Sequence, residues 1–338
     1  MNSSEFTVEK EIQKTDMNRP HVVILGAGAS LAAFQNGDKS GRRLPVMKDF
    51  VEILGLENFL VQNGIQPPFD DFEGIYSGIA SDPNKTGICK KIEEVVYDYF
   101  AGMTLSDCPT VYDHLVLSLR EKDVIATFNW DPFLWQAAAR NHKFSKPPHL
   151  VFLHGNVAIG YCTNCKIVTA KSPFCQKCGK DQSPSPLLFP VKTKNYQNDP
   201  AISAHWQFLG KVMKNAWAIT FFGYGAPKTD VEAVHLLKTG WGKTEDRNLE
   251  ETEIIDIRDE EELVEVWKDF LHSHHYGIHE SFYDSLIAVH PRRSCEALWA
   301  SNMDALFREG TKFPKDLDFP ELYNWFQPRL EAEKKHKS

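Results

Sequence analysis

The chain has 338 residues, 42% hydrophobic and 25% charged, with a formal net charge of -8 at pH 7. That length buries a substantial core in one elaborated domain or two, and the balance is that of a soluble globular protein. The acidic charge leaves no overall basic footprint, so direct nucleic-acid binding is not expected, and no apolar run is long enough to span a bilayer.

Residues 1–19 read as a solvated N-terminal arm without the apolar stretch of a secretory signal, and Pro20 marks the start of the first strand. His21 to Leu31 reads HVVILGAGASL. A short β-branched run ending in glycines predicts a buried parallel strand that turns sharply into a helix. Glycine there permits positive φ and lets a pyrophosphate approach the backbone, although an ordinary tight strand-to-helix turn has the same pattern. The fingerprint is incomplete: Leu31 stands where the third glycine of G-x-G-x-x-G would be, which disfavours a standard dehydrogenase.

Gln35 to Pro45 is rich in turn formers and reads as a loop over the cleft. Residues 45–119 read as a largely helical insertion, ending in a helix over Tyr112 to Leu119. Asp123 to Thr127 is the next strand, followed by Phe128, Asn129, Trp130, Asp131 and Pro132. Polar residues at a strand's carboxyl end are where an open α/β sheet places ligand contacts, although Asn129 and Asp131 also suit the capping of a helix that begins with Pro132. His149 to Leu153 is a third strand, ending in His154, Gly155 and Asn156. An imidazole there is placed for proton transfer.

Residues 157–183 hold Cys162 and Cys165, then Cys175 and Cys178, two C-x-x-C pairs among seven cysteines. Such pairs fit a structural Zn²⁺ in a reducing cytoplasm better than a disulfide scaffold, and four thiolates would close the metal to substrate. A helix over His205 to Trp217 leads to a strand, Ala218 to Phe222, that ends in Gly223-Tyr224-Gly225 and a helix from Val231. Glu253 to Ile257 reads as a last short strand carrying Asp256, placed for ribose hydroxyls or as a plain strand end. Residues 259–338 read as a mainly helical region; His275 and His279 have a helical metal-ligand spacing without the full H-E-x-x-H, and EAEKKHKS reads as a frayed tail.

GAGAS, TFNWD, LHGN, the paired C-x-x-C and GYGAPKTD follow one another in sirtuin order. Over roughly Val22 to Asp256 the chain resembles the SIR2-like superfamily. The resemblance implies a Rossmann-like parallel sheet over residues 20–258, with helical and zinc-ribbon insertions, that binds NAD. Gly26, Ala27, Gly28 and Ser30 then match the pyrophosphate loop, and Asn129 and Asp131 match the Asn and Asp of N-I-D. His154 matches the general base of the H-G motif. Gly223, Tyr224 and Gly225 lie in the loop that approaches the adenosine half, with Asp256 near the family's ribose asparagine. Pro132-Phe133-Leu134-Trp135 and Phe189-Pro190-Val191-Lys192 depart from the deacylase pattern. F-N-W-D with G-Y-G-x-P-x-T-D looks like the bacterial SIR2-like effectors of anti-phage defence, which hydrolyse NAD to nicotinamide and ADP-ribose. That likeness implies a cytoplasmic NADase activated by a separately encoded sensor or by oligomerisation, in a complex for which the aromatic-rich C-terminal region is a docking surface. A protein deacylase and a non-catalytic NAD or ADP-ribose sensor are the alternative readings.

Overall fold

The computed structural model describes residues 5–191, 196, 198–226 and 230–337. In chain order its strands are β1 (Glu5–Phe6), β2 (His21–Leu25), β3 (Val124–Thr127), β4 (His149–Phe152), β5 (Ile159–Cys162), β6 (Ile167–Ala170), β7 (Ser183–Pro184), β8 (Ala218–Phe222), β9 (Glu251–Ile255), β10 (Tyr276–His279) and β11 (Phe307–Arg308). Six of them form one sheet in the order β10-β9-β8-β2-β3-β4, with every neighbouring pair parallel. From β2 the chain moves outward through β3 to β4, then returns to the other side of β2 and moves outward through β8, β9 and β10. Strand order therefore reverses between β2 and β8. Open α/β sheets bind ligands beyond the carboxyl ends of their strands at such a reversal.

Period-two alternation sends the residues of each strand to two different cores. Val23, Leu25, Ile125 and Phe152 face a cluster shared with Phe50, Phe72, Ile92 and Phe133. Val22, Ile24, Val124 and Val151 face the other, with Trp206, Met213, Leu237 and Trp267. The first core is supplied by the segment between β2 and β3, which carries the helices Phe50–Ile53, Glu57–Gln62, Phe72–Ala80, Thr86–Ala101 and Val111–Leu117. The first two of these helices are short and are separated by Gly55 at φ +65°. β5, β6 and β7 form a separate antiparallel sheet in the order β6-β5-β7.

Three expectations need correction at the chain ends. The N-terminal segment is not a solvated arm. β1 pairs in parallel with β11, and the helix Val8–Gln13 buries Glu11, whose carboxylate lies 2.5 Å from His290 Nδ1. Next, the sheet continues beyond residue 258, because β10 pairs in parallel with β9. His279 therefore sits on a strand, its Nε2 3.2 Å from the buried Glu253, instead of pairing with His275 on a helix. Finally, the terminal residues continue the helix Phe319–Lys337, in which Glu333 accepts from Arg292 at 2.7 Å and from Arg293 at 2.6 Å. Among the described residues no helix is long and apolar enough to cross a membrane.

Candidate active site

At the strand reversal, the turn after β2 and the turn after β8 meet backbone to backbone. Gly26 N–H donates to the Phe222 carbonyl at 3.0 Å, and Gly28 N–H donates to the Gly223 carbonyl at 2.9 Å. A Cβ on Gly26 would fall 2.5 Å from the Gly223 oxygen, and one on Gly28 would fall 2.7 Å from Gly223 Cα. Gly223 adopts φ +60°, and a Cβ there would approach Ala29 N to 2.3 Å. Gly26, Gly28 and Gly223 are thus demanded by the contact between the two turns. Gly28 is spent on that contact, whereas Gly26, Ala27, Gly223 and Gly225 line a cavity of about 430 Å³, within the usual range for small-molecule sites.

The end of β3 adds a polar network to the same cavity. Asn129 Nδ2 donates to the Gly26 carbonyl at 2.8 Å and to Ser30 Oγ at 3.0 Å. A carbonyl oxygen only accepts, so this pair fixes which way the amide points and leaves its own oxygen as the group for a ligand. Ser30 Oγ donates to Asp131 at 2.7 Å and lies 2.6 Å from the buried Tyr112 hydroxyl. Burial raises the Asp131 pKa to about 6, against the lowering effect of the Ser30 and Phe133 hydrogen bonds. Asn156 Nδ2 donates to the Asp131 carbonyl at 2.6 Å and to the Asn129 carbonyl at 3.2 Å, tying the ends of β3 and β4 together.

His154, just past β4, lines the cavity and is buried, with Nε2 2.9 Å from the Tyr196 hydroxyl. Burial, with Asp230 and Glu232 nearby, pushes the Tyr196 pKa upward and keeps it a phenol. Tyr224 stacks on Phe128 with ring centroids 4.1 Å apart and donates to Asp230 at 3.2 Å. The structure therefore brings Gly26, Ala27, Ser30, Asn129, Asp131, His154, Gly223, Tyr224 and Gly225 to one cavity. It does not bring Asp256 there: that residue follows β9 and is paired with Arg258 at 2.9 Å. Lys192, Pro227, Lys228 and Thr229, which belong to motifs read from the sequence, lie outside the described residues.

Sequence reasoning missed Tyr112, Tyr196 and Asn156, as well as Asp71 and Glu73, which the helical insertion contributes to the cavity wall. Asn156 was within reach, being the last residue of LHGN. The tyrosines carried no local signal, because the residues they bond are far off in the chain.

In the small antiparallel sheet, Cys162, Cys165, Cys175 and Cys178 place their sulfur atoms within 4.8 Å of one another. Each pair sits on a tight turn: Lys166 N–H donates to the Cys162 carbonyl at 2.8 Å, and Gly179 N–H to the Cys175 carbonyl at 2.7 Å. Lys166 and Gly179 take φ +54° and +69° to close these turns. Four soft donors at this spacing fit a tetrahedral Zn²⁺. None of the four lines the cavity, so the metal would hold the module together and take no part in chemistry.

Fold and site together define an α/β protein with a Rossmann-like parallel sheet, a small-molecule cavity at its strand reversal and a four-cysteine module. No described protein family matches the sequence, and no curated protein matches it. Among solved structures, the chain is similar to a Sir2 homologue in complex with NAD, with TM-score 0.41 and 17% identity over 86% of this chain and 93% of that one. It is similar to a Sir2 homologue mutant bound to ADP-ribose, with TM-score 0.40 and 16% identity over 86% and 96% of the two chains. A Sir2 homologue triple mutant with 2'-O-acetyl-ADP-ribose gives TM-score 0.44 and 16% identity over 85% and 95%. None of these alignments is close, and none bears on the assignment of the site residues.

Proposed function

We propose that the cavity binds NAD and that the chain hydrolyses the bond between nicotinamide and ribose, releasing nicotinamide and ADP-ribose. The observation that carries this reading is the convergence of Asn129, Asp131 and His154 on one cavity beside the glycine turns at the strand reversal. Breaking the bond builds positive charge on the ribose anomeric carbon, so the site must hold the ribose, steady the leaving ring and orient water. Ala27 offers its backbone N–H to the pyrophosphate, and Gly26, having no side chain, leaves room for the approach. Asn129, with both amide hydrogens directed to Gly26 and Ser30, presents a carbonyl oxygen that accepts from a ribose hydroxyl or from the attacking water. Asp131 receives the carboxamide N–H of nicotinamide. His154 takes the proton that water loses as its oxygen bonds to the anomeric carbon, and the bonding pair leaves with nicotinamide.

The wider role, an effector of bacterial anti-phage defence switched on by a partner protein or by assembly, is supported by the F-N-W-D and G-Y-G motifs. Chromatography of the products formed by the full chain from NAD, with and without an acetyl-lysine peptide, tests the assignment. Nicotinamide and ADP-ribose in equal amounts without peptide is the expected result. Acetylated ADP-ribose formed only with peptide would make the chain a protein deacylase, and ADP-ribose binding without turnover, even in a complex reconstituted with the proteins encoded beside its gene, would make it a sensor.

A further inference from the structure

A second cavity, of about 610 Å³, opens at the opposite edge of the sheet, among the segments that lead into β2, β3 and β4 and the helix Phe319–Lys337. Its inner wall carries Arg120, Lys122 and Arg292. Backbone carbonyls hold much of this charge in place. Arg120 donates to Thr15 and Met17, each at 3.1 Å, Lys122 to Arg19 at 2.8 Å, and Arg292 to Leu117 and Leu119, each at 2.9 Å. A carbonyl orients a cation without cancelling its charge.

Carboxylates compensate only part of it. Glu296 pairs with Arg120, Asp123 pairs with Lys122, and Glu333 is shared between Arg292 and the buried Arg293. Arg329 is a further buried guanidinium, and Nε of Arg120, Arg293 and Arg329 is buried without an acceptor. Burial holds the Arg329 pKa down, at about 10, with Arg293 and Arg292 adding to the effect and Glu11 opposing it. At the rim, the exposed Lys143, Lys146 and Lys334 add three more cations, of which Lys146 meets Glu121 at 3.3 Å. Phe144, stacked on Tyr323 with centroids 4.2 Å apart, supplies an aromatic wall. In a chain of net charge -8, this concentration of positive charge runs against the whole.

We propose that this cavity is a second ligand site, taking a phosphate-bearing small molecule of nucleotide size. The rim lysines meet the phosphate oxygens, the inner arginines supply the field and Phe144 packs against the base. The confinement of these cations to one cavity in a chain of net charge -8 favours a small anion over an extended nucleic acid, which would need a basic stripe. The site is independent of the reaction proposed above and stands whether or not NAD is cleaved.

Titration calorimetry of the full chain with ATP tests it, using wild type and the combined variant Lys143→Glu, Lys146→Glu, Lys334→Glu. The three lysines are exposed, so the variant folds, as circular dichroism will verify. Wild type is expected to bind ATP, more weakly as salt is raised, and the variant to lose about tenfold or more in affinity. Equal affinity in the two proteins would overturn the proposal, as would no binding to wild type at millimolar ATP.

Discussion

Ser30 Oγ, in the helix Ala27–Ala33 that follows β2, donates a hydrogen bond of 2.7 Å to a carboxylate oxygen of Asp131 in the turn after β3. Even with that bond, burial lifts Asp131 from 3.8 to about 6. In this window the folded state binds a proton that the unfolded chain does not, so the contribution of Asp131 to stability falls as pH rises. The loss is complete above the folded pKa and is on the order of 3 kcal/mol. Asp131→Asn removes it. Urea midpoints measured from about pH 4 to about pH 7 should show the variant gaining on wild type as pH rises. A difference that stays constant with pH would contradict the buried, protonatable carboxyl.

Asn129 serves the fold as well as the site. Truncation by Asn129→Ala leaves the Gly26 carbonyl and Ser30 without their amide donor. A loss of about 1–3 kcal/mol in unfolding free energy is expected. Chemical denaturation measures it, and an unchanged midpoint would show that water replaces the amide freely.

Gly223→Ala should cost more than Gly28→Ala. The first combines a positive φ with a Cβ 2.3 Å from Ala29 N, whereas the second adds only the clash with Gly223 Cα at 2.7 Å. Both destabilise, the first by several kcal/mol, since neither neighbour is a side chain that can swing aside. Thermal denaturation of the two variants reads the order, and equal melting points would refute it.

The strands that carry the site were legible because each is a short apolar run buried on both faces, as in VVIL and AITFF. β10 was not. Its four residues, Tyr276 to His279, include a glycine and a histidine, and it is the outermost strand, half-buried, so no apolar run marks it. What draws it into the sheet besides its ladder is Glu253, buried one strand away and bonded to His279. The N-terminal segment misled for a similar reason: Glu11, one of three glutamates in residues 1–19, carries no sign of burial until its partner, His290, is brought to it by the fold. In the site, Asn129, Asp131 and His154 stood out because they interrupt apolar strands at their ends. Tyr112 reaches Ser30 across 82 positions of sequence, a separation that periodicity does not register.

The four-cysteine module should bind one Zn²⁺ per chain, read by atomic absorption. Removal by a chelator is expected to raise amide hydrogen exchange across residues 159–184 while the six-stranded sheet keeps its protection, because the module has its own antiparallel sheet. Protection unchanged across the module after metal removal would mean that the cysteines pack without an ion.

The most direct test of the central claim is the rate of nicotinamide release from NAD by wild type, Asn129→Ala and His154→Ala at matched concentration. Wild type should release nicotinamide; His154→Ala should lose about a hundredfold or more, the usual contribution of a positioned acid–base group, and Asn129→Ala a comparable amount through lost positioning of the ribose or water. Wild-type rates in both variants would contradict the account.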